Sequence, residues 1–219
     1  MNNYAKWLDN IESAPNLNGG GPILAPIFEK LLTGEKFNTI FEWCAGPAWI
    51  GMWLLENKIG KTLVTGDINK KSVEFVEKSA INNNYDVRCY ASDNMKQIPK
   101  HEKFDLIVSN PPNYCNIQKS HPFGFLRDDL RPSDVNWKIH KNFYNNISNY
   151  LHDESVMYIS EVEIYSENVY YDNALYDKRP EQPIISFEKM TKDNNLKIND
   201  IIEYKVEDAK CYFLKINKI

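Results

Sequence analysis

The stretch FEWCAGPAWIGMW, residues 41–53, decides the fold. An apolar run ends at Glu42-Trp43, and helical spacing resumes at Ala48, with Trp49 and Trp53 four apart on one helix face. Between them stand Cys44, Ala45, Gly46, Pro47 and Ala48, all small or conformationally constrained. A strand that turns through such residues into a helix opens an α/β sheet. Ligands of these sheets bind at the carboxyl ends of the strands, where strand order reverses. Few side chains stand over a turn of this kind, so a ligand can lie against its backbone. A tight corner between strand and helix calls for the same residues, and the turn by itself leaves both roles open.

Outward from this unit, apolar runs and breaker residues predict a helix over 4–12, a flexible link at 16–22 and a second helix from Pro22 to a stop at Gly34. Strands are predicted at 38–43, 61–67, 86–93, 103–110 and 154–162, with helices at 48–60, 69–83 and 136–151. A last helix over 183–193 leads into LKINDIIEYKV (196–206) and KCYFLKI (210–216). Only the residues around Glu207, Asp208 and Ala209 separate that pair, so it forms an antiparallel hairpin. Alternating strands and helices imply an α/β chain with helices on both faces of a mostly parallel sheet. The hairpin adds an antiparallel edge. The organisation is an N-terminal helical segment over 1–35 and one domain over 36–219, with insertions at 115–134 and 163–183. Loops of that length are commonly functional.

Composition narrows the class. The 219 residues are 42% apolar and 26% charged, as in ordinary globular proteins. A net charge of −4 argues against a generic nucleic-acid binder. The opening MNNYAKWLDNIESAPN has no basic segment followed by an apolar run, so it is not a secretory signal. No stretch has the roughly 18–20 apolar residues of a membrane span. Cys44, Cys89, Cys115 and Cys211 are scattered, without metal-ligand spacing. They are read as reduced thiols of a cytoplasmic protein, and no structural metal is expected.

Three acids and a proline pair carry the chemistry. Asp67 ends the second strand roughly 20 residues past the turn, where a carboxylate accepts the hydroxyls of a ribose. It also suits the N-cap of the following helix, and both roles can hold at once. The Gly-x-Gly-x-x-Gly pattern of dinucleotide sites is missing, and Glu42 would repel a pyrophosphate. An acid there suits a ligand with a positive centre or an ammonium group, and S-adenosylmethionine has both, plus a ribose. Asp93, in YASDNM, can accept from the amino group of adenine or be an ordinary loop acid. SNPPNY, residues 109–114, follows the apolar fourth strand. The side-chain oxygen of Asn110 and the carbonyl of Pro111 are both acceptors. Together they can hold the two protons of a planar –NH₂ and aim its nitrogen at a methyl carbon. Tyr114 can lie over the planar group or the developing charge.

FEWCAGPA, GDIN, ASDN and SNPPNY, in this order and spacing, resemble class I S-adenosylmethionine-dependent methyltransferases, most of all the Asn-Pro-Pro-Tyr branch. That branch includes release-factor and ribosomal-protein glutamine methyltransferases and enzymes that methylate exocyclic amines of nucleobases. The resemblance covers roughly residues 38–162 and, through the closing hairpin, the rest of the sheet. It implies a Rossmann-like three-layer sandwich, seven-stranded, mostly parallel, with an antiparallel last strand, and S-adenosyl-L-methionine as cofactor. It places Glu42 and Gly46 at the methionine part, Asp67 at the ribose and Asp93 at the adenine, with Cys44, Ile68 and Asn94 also among the cofactor-binding residues. Asn110, Pro111 and Tyr114 fall at the methyl acceptor, with Asn110 also bordering the cofactor. Two departures stand out: Cys44 and Pro47-Ala48 replace usual glycines, and Asn113 separates the prolines from Tyr114.

The expected acceptor is an amide or amine nitrogen of a protein side chain or small molecule. About 35 residues before the first strand are too few for a recognition domain, so recognition must come from that short segment, from 115–134 and from 163–183. The segment 115–134 holds Phe123, Phe125, Arg127 and Arg131. From Ile159 to Asp177 there are five acids and no base, which would repel a phosphate backbone, so nucleic acid is the less favoured partner. The alternative for those acids is an exposed acidic surface. His121 and His140 are possible bases by type, and His140, beside Ile139 and Phe143, reads as a structural or surface histidine.

Overall fold

The computed structural model describes residues 3–13, 21–113, 134–162, 164–165, 182–206 and 209–219. Most of both insertions, with Tyr114, His121, Phe123, Phe125, Arg127 and Arg131, lies outside them. The elements run α1 (Asn3–Leu8), α2 (Gly21–Leu31), β1 (Phe37–Trp43), α3 (Trp49–Glu56), β2 (Gly60–Asp67), α4 (Lys70–Asn83), β3 (Val87–Ala91) and β4 (Phe104–Ser109). They continue with α5 (Lys138–Ile147), β5 (Leu151–Glu161), α6 (Pro183–Lys192), β6 (Leu196–Val206) and β7 (Ala209–Lys218). The first helix is shorter than its spacing predicts, because Asn10 and Ile11 close it with turn-type hydrogen bonds to Trp7 and Leu8.

The seven strands pair in the order β3-β2-β1-β4-β5-β7-β6. Pairs from β3 through β5 are parallel, and β7 is antiparallel to both of its neighbours. The last strand is therefore antiparallel as expected, but it is not the edge. It slots between β5 and β6, leaving β6 outermost. The physical reason lies in burial: Phe213, Leu214 and Ile216 of β7 are fully buried, whereas β6 beyond Leu196 carries only half-buried and exposed residues through Lys205.

Two apolar layers flank the sheet. One joins α1–α4 to the sheet face carrying Ile40, Leu63, Leu106 and Val108. Here α3 is buried on every side from Trp49 to Leu55, the pattern of a helix in the middle of a layer. Tyr4, Trp7, Trp49 and Trp53 meet ring to ring, so α1 docks into this same core. The other layer joins α5 and α6 to Phe41, Trp43, Ile107, Met157 and Ile159. In α5 the buried residues are His140, Phe143, Tyr144 and Ile147, a spacing of one helix face. Strand order reverses on either side of β1, so the gap between β1 and β4 is where an α/β sheet opens to a ligand.

Candidate active site

Register puts the expected residues at one edge. Trp43 pairs with Gly66 and with Ser109, and Ser109 pairs with Ile159. The next residues along, Asp67, Cys44 and Asn110, end or leave their strands together, level with Ser160 near the end of β5. Asp67 in turn pairs with Ala91, two residues before Asp93.

Asp67 ties this edge together. Its Oδ2 accepts from the Gly46 N–H at 2.8 Å and its Oδ1 from the Asn69 N–H at 2.8 Å. Burial raises its carboxyl above the ordinary value, against the two backbone bonds. A carboxylate has about four lone-pair sites, so each oxygen keeps capacity for a ribose hydroxyl. The capping role falls elsewhere: Asn69 is the N-cap of α4 and accepts from the Lys71 N–H at 3.0 Å. Ile68 next to Asp67 is 73% exposed, a bare apolar face at the mouth of the site.

The small-residue turn is wound left-handed at three positions: Cys44 (φ 52°), Gly46 (φ 52°) and Ala48 (φ 58°). For Cys and Ala this costs roughly 1–2 kcal/mol each. Strain of that kind persists only when its surroundings fix it. Here the Gly46–Asp67 bond and Ala45 N–H to Gly66 C=O at 3.2 Å do so.

Glu42 is 3% exposed, and its Oε2 accepts from the Gly51 N–H at 2.6 Å, with a further bond from the Ile50 N–H. Ala48, at the N-cap, has no side-chain bond to give, so Glu42 satisfies the free N–H groups of the first turn of α3. Burial pushes its carboxyl up to about 8, outweighing these bonds, with a smaller contribution from Asp67. The contact depends on Gly51. A Cβ there would lie 2.7 Å from Glu42 Oε2 and 2.4 Å from a Leu63 methyl. The glycine missing from the turn thus reappears one turn into the helix, for close packing on the sheet. Glu42 commits at least one oxygen to the helix.

Half-buried Cys44 stands amid Asp67, Asp134 and Glu161. Burial and those carboxylates push its thiol well above the ordinary value, so it is no thiolate nucleophile. Exposed Asp93 ion-pairs with Lys96. Asn94, at φ 60°, donates from Nδ2 to the Ile139 carbonyl at 2.8 Å, tying the loop after β3 to α5. Its buried Oδ1 has no partner among the described residues.

At the Asn-Pro-Pro segment, Asn113 Nδ2 donates to Asn110 Oδ1 at 3.1 Å and to the Pro111 carbonyl at 2.7 Å. Asn113 Oδ1 accepts from the Val162 N–H at 3.2 Å, at the end of β5. A planar carboxamide of the chain itself therefore occupies both acceptors. Beneath it, Ser109 Oγ donates to the Trp43 carbonyl at 2.5 Å and locks β4 to β1.

One constellation was not assigned a role from sequence. His140 Nδ1 lies 2.7 Å from Asp134 Oδ2, and its Nε2 lies 2.8 Å from Glu161 Oε1, all three side chains being fully buried. Asp134 also accepts from the backbone N–H groups of Ile139 and His140 and so caps the start of α5. Burial pulls the His140 imidazole down, but the two carboxylates together overcome this and hold it up at about 9. Burial raises the Glu161 carboxyl. For Glu161 the reading of an exposed acidic surface is corrected: it continues the inward row Met157, Ile159 on β5. That row, and the spacing of His140 with Phe143, Tyr144 and Ile147, are the sequence signals that point inward. Among the described residues, no group of three His, Cys, Asp or Glu side chains is arranged to hold a metal ion, and no helix is long and apolar enough to cross a membrane.

The small turn, the paired Asp67 and the exposed Ile68 suit a nucleoside with a charged tail, and the Asn-Pro-Pro edge suits a planar nitrogen. The chain is similar to several known proteins. The Release factor glutamine methyltransferase of Leptospira interrogans is 32% identical over 98 residues, 42% of this chain. The match spans about a third of that relative's own length (34%). Among solved structures, a methyltransferase from Pyrococcus furiosus superposes with a TM-score of 0.63 at 16% identity, covering 100% of this chain and 99% of that one. The T. thermophilus 16S rRNA N2 G1207 methyltransferase, solved with AdoMet and guanosine, has a TM-score of 0.58 at 16% identity, over 94% of this chain and 45% of that one. At such identities the structures speak to the fold alone. The model of the methyltransferase small domain matches residues 8–121, from α1 through the Asn-Pro-Pro segment, and the chain belongs to that family.

Proposed function

We propose that the chain is an S-adenosylmethionine-dependent N-methyltransferase acting on a planar amide or amine nitrogen of a protein side chain or small molecule. The observation that carries this is the seat of Asn113. One –NH₂ group donates to Asn110 Oδ1 and to the Pro111 carbonyl at once. An amide nitrogen is a poor nucleophile because its lone pair is delocalised. Two fixed acceptors orient it and favour the positive charge that develops on it. Pro111 has no N–H of its own to compete, and its ring holds the backbone in place. Asn113 must swing away before a substrate nitrogen takes its place.

The cofactor supplies a methyl group on a sulfonium centre. In the described residues, Asp67 would take the ribose, Ile68 and the loop of Asp93 and Asn94 the adenine, and the turn of Cys44 and Gly46 the methionine part. The orphaned Asn94 Oδ1 is a buried acceptor on the adenine side, as a site for an amino group requires. The glutamine methyltransferase relative supports a carboxamide acceptor.

The test transfers labelled methyl groups from S-adenosylmethionine into cell lysate, split into protein, nucleic-acid and small-molecule fractions. Label is expected in the protein or small-molecule fraction, and label confined to nucleic acid would overturn the acceptor assignment. Asn110→Ala should lower transfer by roughly 100- to 1,000-fold, the effect of losing one fixed polar group at a reacting centre. S-adenosylhomocysteine should bind that variant within about twofold of wild type. Loss of binding would overturn the acceptor role of Asn110.

A further inference from the structure

The array of Asp134, His140 and Glu161 fixes one oxygen of Glu161 and leaves the other open. An imidazole bonded through both ring nitrogens to carboxylate oxygens donates from both, and so is an imidazolium. With two carboxylates, the fully buried array carries a net charge of −1. In Asp134 both oxygens are bonded: Oδ1 accepts from the Ile139 N–H at 2.7 Å, and Oδ2 from the His140 N–H and Nδ1. In Glu161 only one is. Its Oε1 is held by His140, while its buried Oε2 has no partner among the described residues. An unpaired buried carboxylate oxygen is costly, and a purely structural ion array has no reason to keep one.

Its place explains it. Ile159 of β5 pairs with Ser109, so Glu161 lies two residues further along, level with the prolines after Asn110. Its neighbour Val162 bonds the Asn113 carboxamide seated on the acceptor pair. We propose that Glu161, held by His140 and Asp134, takes up through Oε2 the proton that the acceptor nitrogen sheds on methylation. This rests on the N-methyltransferase reading. A nitrogen that has gained a methyl group carries one positive charge and one surplus proton. Its N–H bond breaks, the electron pair stays on nitrogen, and an O–H bond forms on Glu161. The array passes from −1 to neutral, and the proton later leaves to solvent. A carboxylate is base enough, because the methylated nitrogen is itself acidic. Before that step the buried charge of −1 favours the positive charge arriving on nitrogen. Among the described residues, the other titratable groups around Glu161 are Tyr144 on α5, Cys44 in the turn after β1, and Tyr212, its register partner on β7. Burial holds the Tyr144 hydroxyl and the Cys44 thiol neutral near pH 7, so neither competes for the proton.

The test compares Glu161→Gln with wild type, using as acceptor the lysate fraction that wild type labels. Single-turnover transfer should fall by roughly 100-fold, the usual contribution of a positioned proton acceptor. The apparent KM for the fraction should stay within about threefold, and the acid limb of the pH–rate profile should disappear. S-adenosylhomocysteine affinity, measured by calorimetry, should hold within about twofold. Independently of turnover, nitrogen-15 NMR of the S-adenosylhomocysteine complex should show the His140 ring as imidazolium at pH 7, and a neutral ring would overturn the proposal. So would a Glu161→Gln enzyme with the wild-type rate and an intact acid limb. If that variant no longer binds S-adenosylhomocysteine, Asp134→Asn decides. Its acid limb should move by about half a pH unit or more, and an unmoved limb would overturn the proposal. A wild type that labels no fraction contradicts the N-methyltransferase reading itself, a result distinct from failure at Glu161.

Discussion

Two glutamates are buried at the same edge of the sheet, on opposite faces, and they do opposite things. Glu42 of β1 points toward α3 and gives an oxygen to the Gly51 and Ile50 N–H groups. Glu161 of β5 points toward α5, gives one oxygen to His140, and keeps the other unpaired among the described residues. Both sit in dry surroundings that favour the neutral acid. The first is bonded to backbone, which cannot move without unwinding a helix. The second is bonded to a side chain that carries charge. A buried acid matched to backbone serves the fold, whereas one matched to a titratable partner, with an open oxygen, is placed to exchange a proton.

The strongest way to break this contrast is to remove Glu42. Glu42→Ala leaves the first N–H groups of α3 unpaired and opens a cavity in a fully buried layer. A loss of about 3 kcal/mol is expected, read as a lower denaturant midpoint. Glu161→Gln should cost about 1 kcal/mol or less, since the amide keeps an oxygen near His140. Equal losses in the two variants would erase the distinction.

Next in size is Asp67, on β2 beside the strand of Glu42. Asp67→Ala should weaken S-adenosylhomocysteine binding at least tenfold, about 1.4 kcal/mol, by calorimetry. Unchanged affinity would remove the ribose role and leave Asp67 as a staple between Gly46 and Asn69.

The last effect is in pH. Glu42 keeps its proton up to about 8 in the folded chain, whereas the unfolded chain releases it near 4.5. His140 stays protonated to about 9, against 6.5 when unfolded. In both windows the folded state binds more protons, so stability falls as pH rises. The Tm should decline by several degrees between pH 6 and pH 9. Glu42→Gln should flatten the part below pH 8 and leave the part contributed by His140. A Tm that rises from pH 6 to pH 9 would contradict both assignments.

The parallel half of the fold was legible because each strand is a short apolar run closed by a distinctive turn: Cys44 to Ala48, Asp67, and the prolines after Asn110. The closing hairpin was legible as a pair, but not which arm meets β5. That choice depends on how many faces each arm buries. Phe213 and Leu214 are fully buried, whereas Ile201 and Ile202 are half-buried. At the site, residue types at strand ends pointed to Asp67 and Asn110. What a sequence does not carry is which groups they meet. The capture of the acceptor pair by Asn113, the grip of Glu42 on α3 and the burial of Glu161 all depend on side chains brought together from distant segments. Gly51 was hidden for the same reason: inside a helical run it looks neutral until Leu63 and Glu42 are set against it.

The most direct measurement is a crystal structure of the chain with S-adenosylhomocysteine. The ribose hydroxyls should rest on the Asp67 carboxylate, and the sulfur should point across the gap between β1 and β4 toward Asn110 Oδ1. A ligand bound away from that gap, or with its sulfur turned from Asn110, would contradict the account.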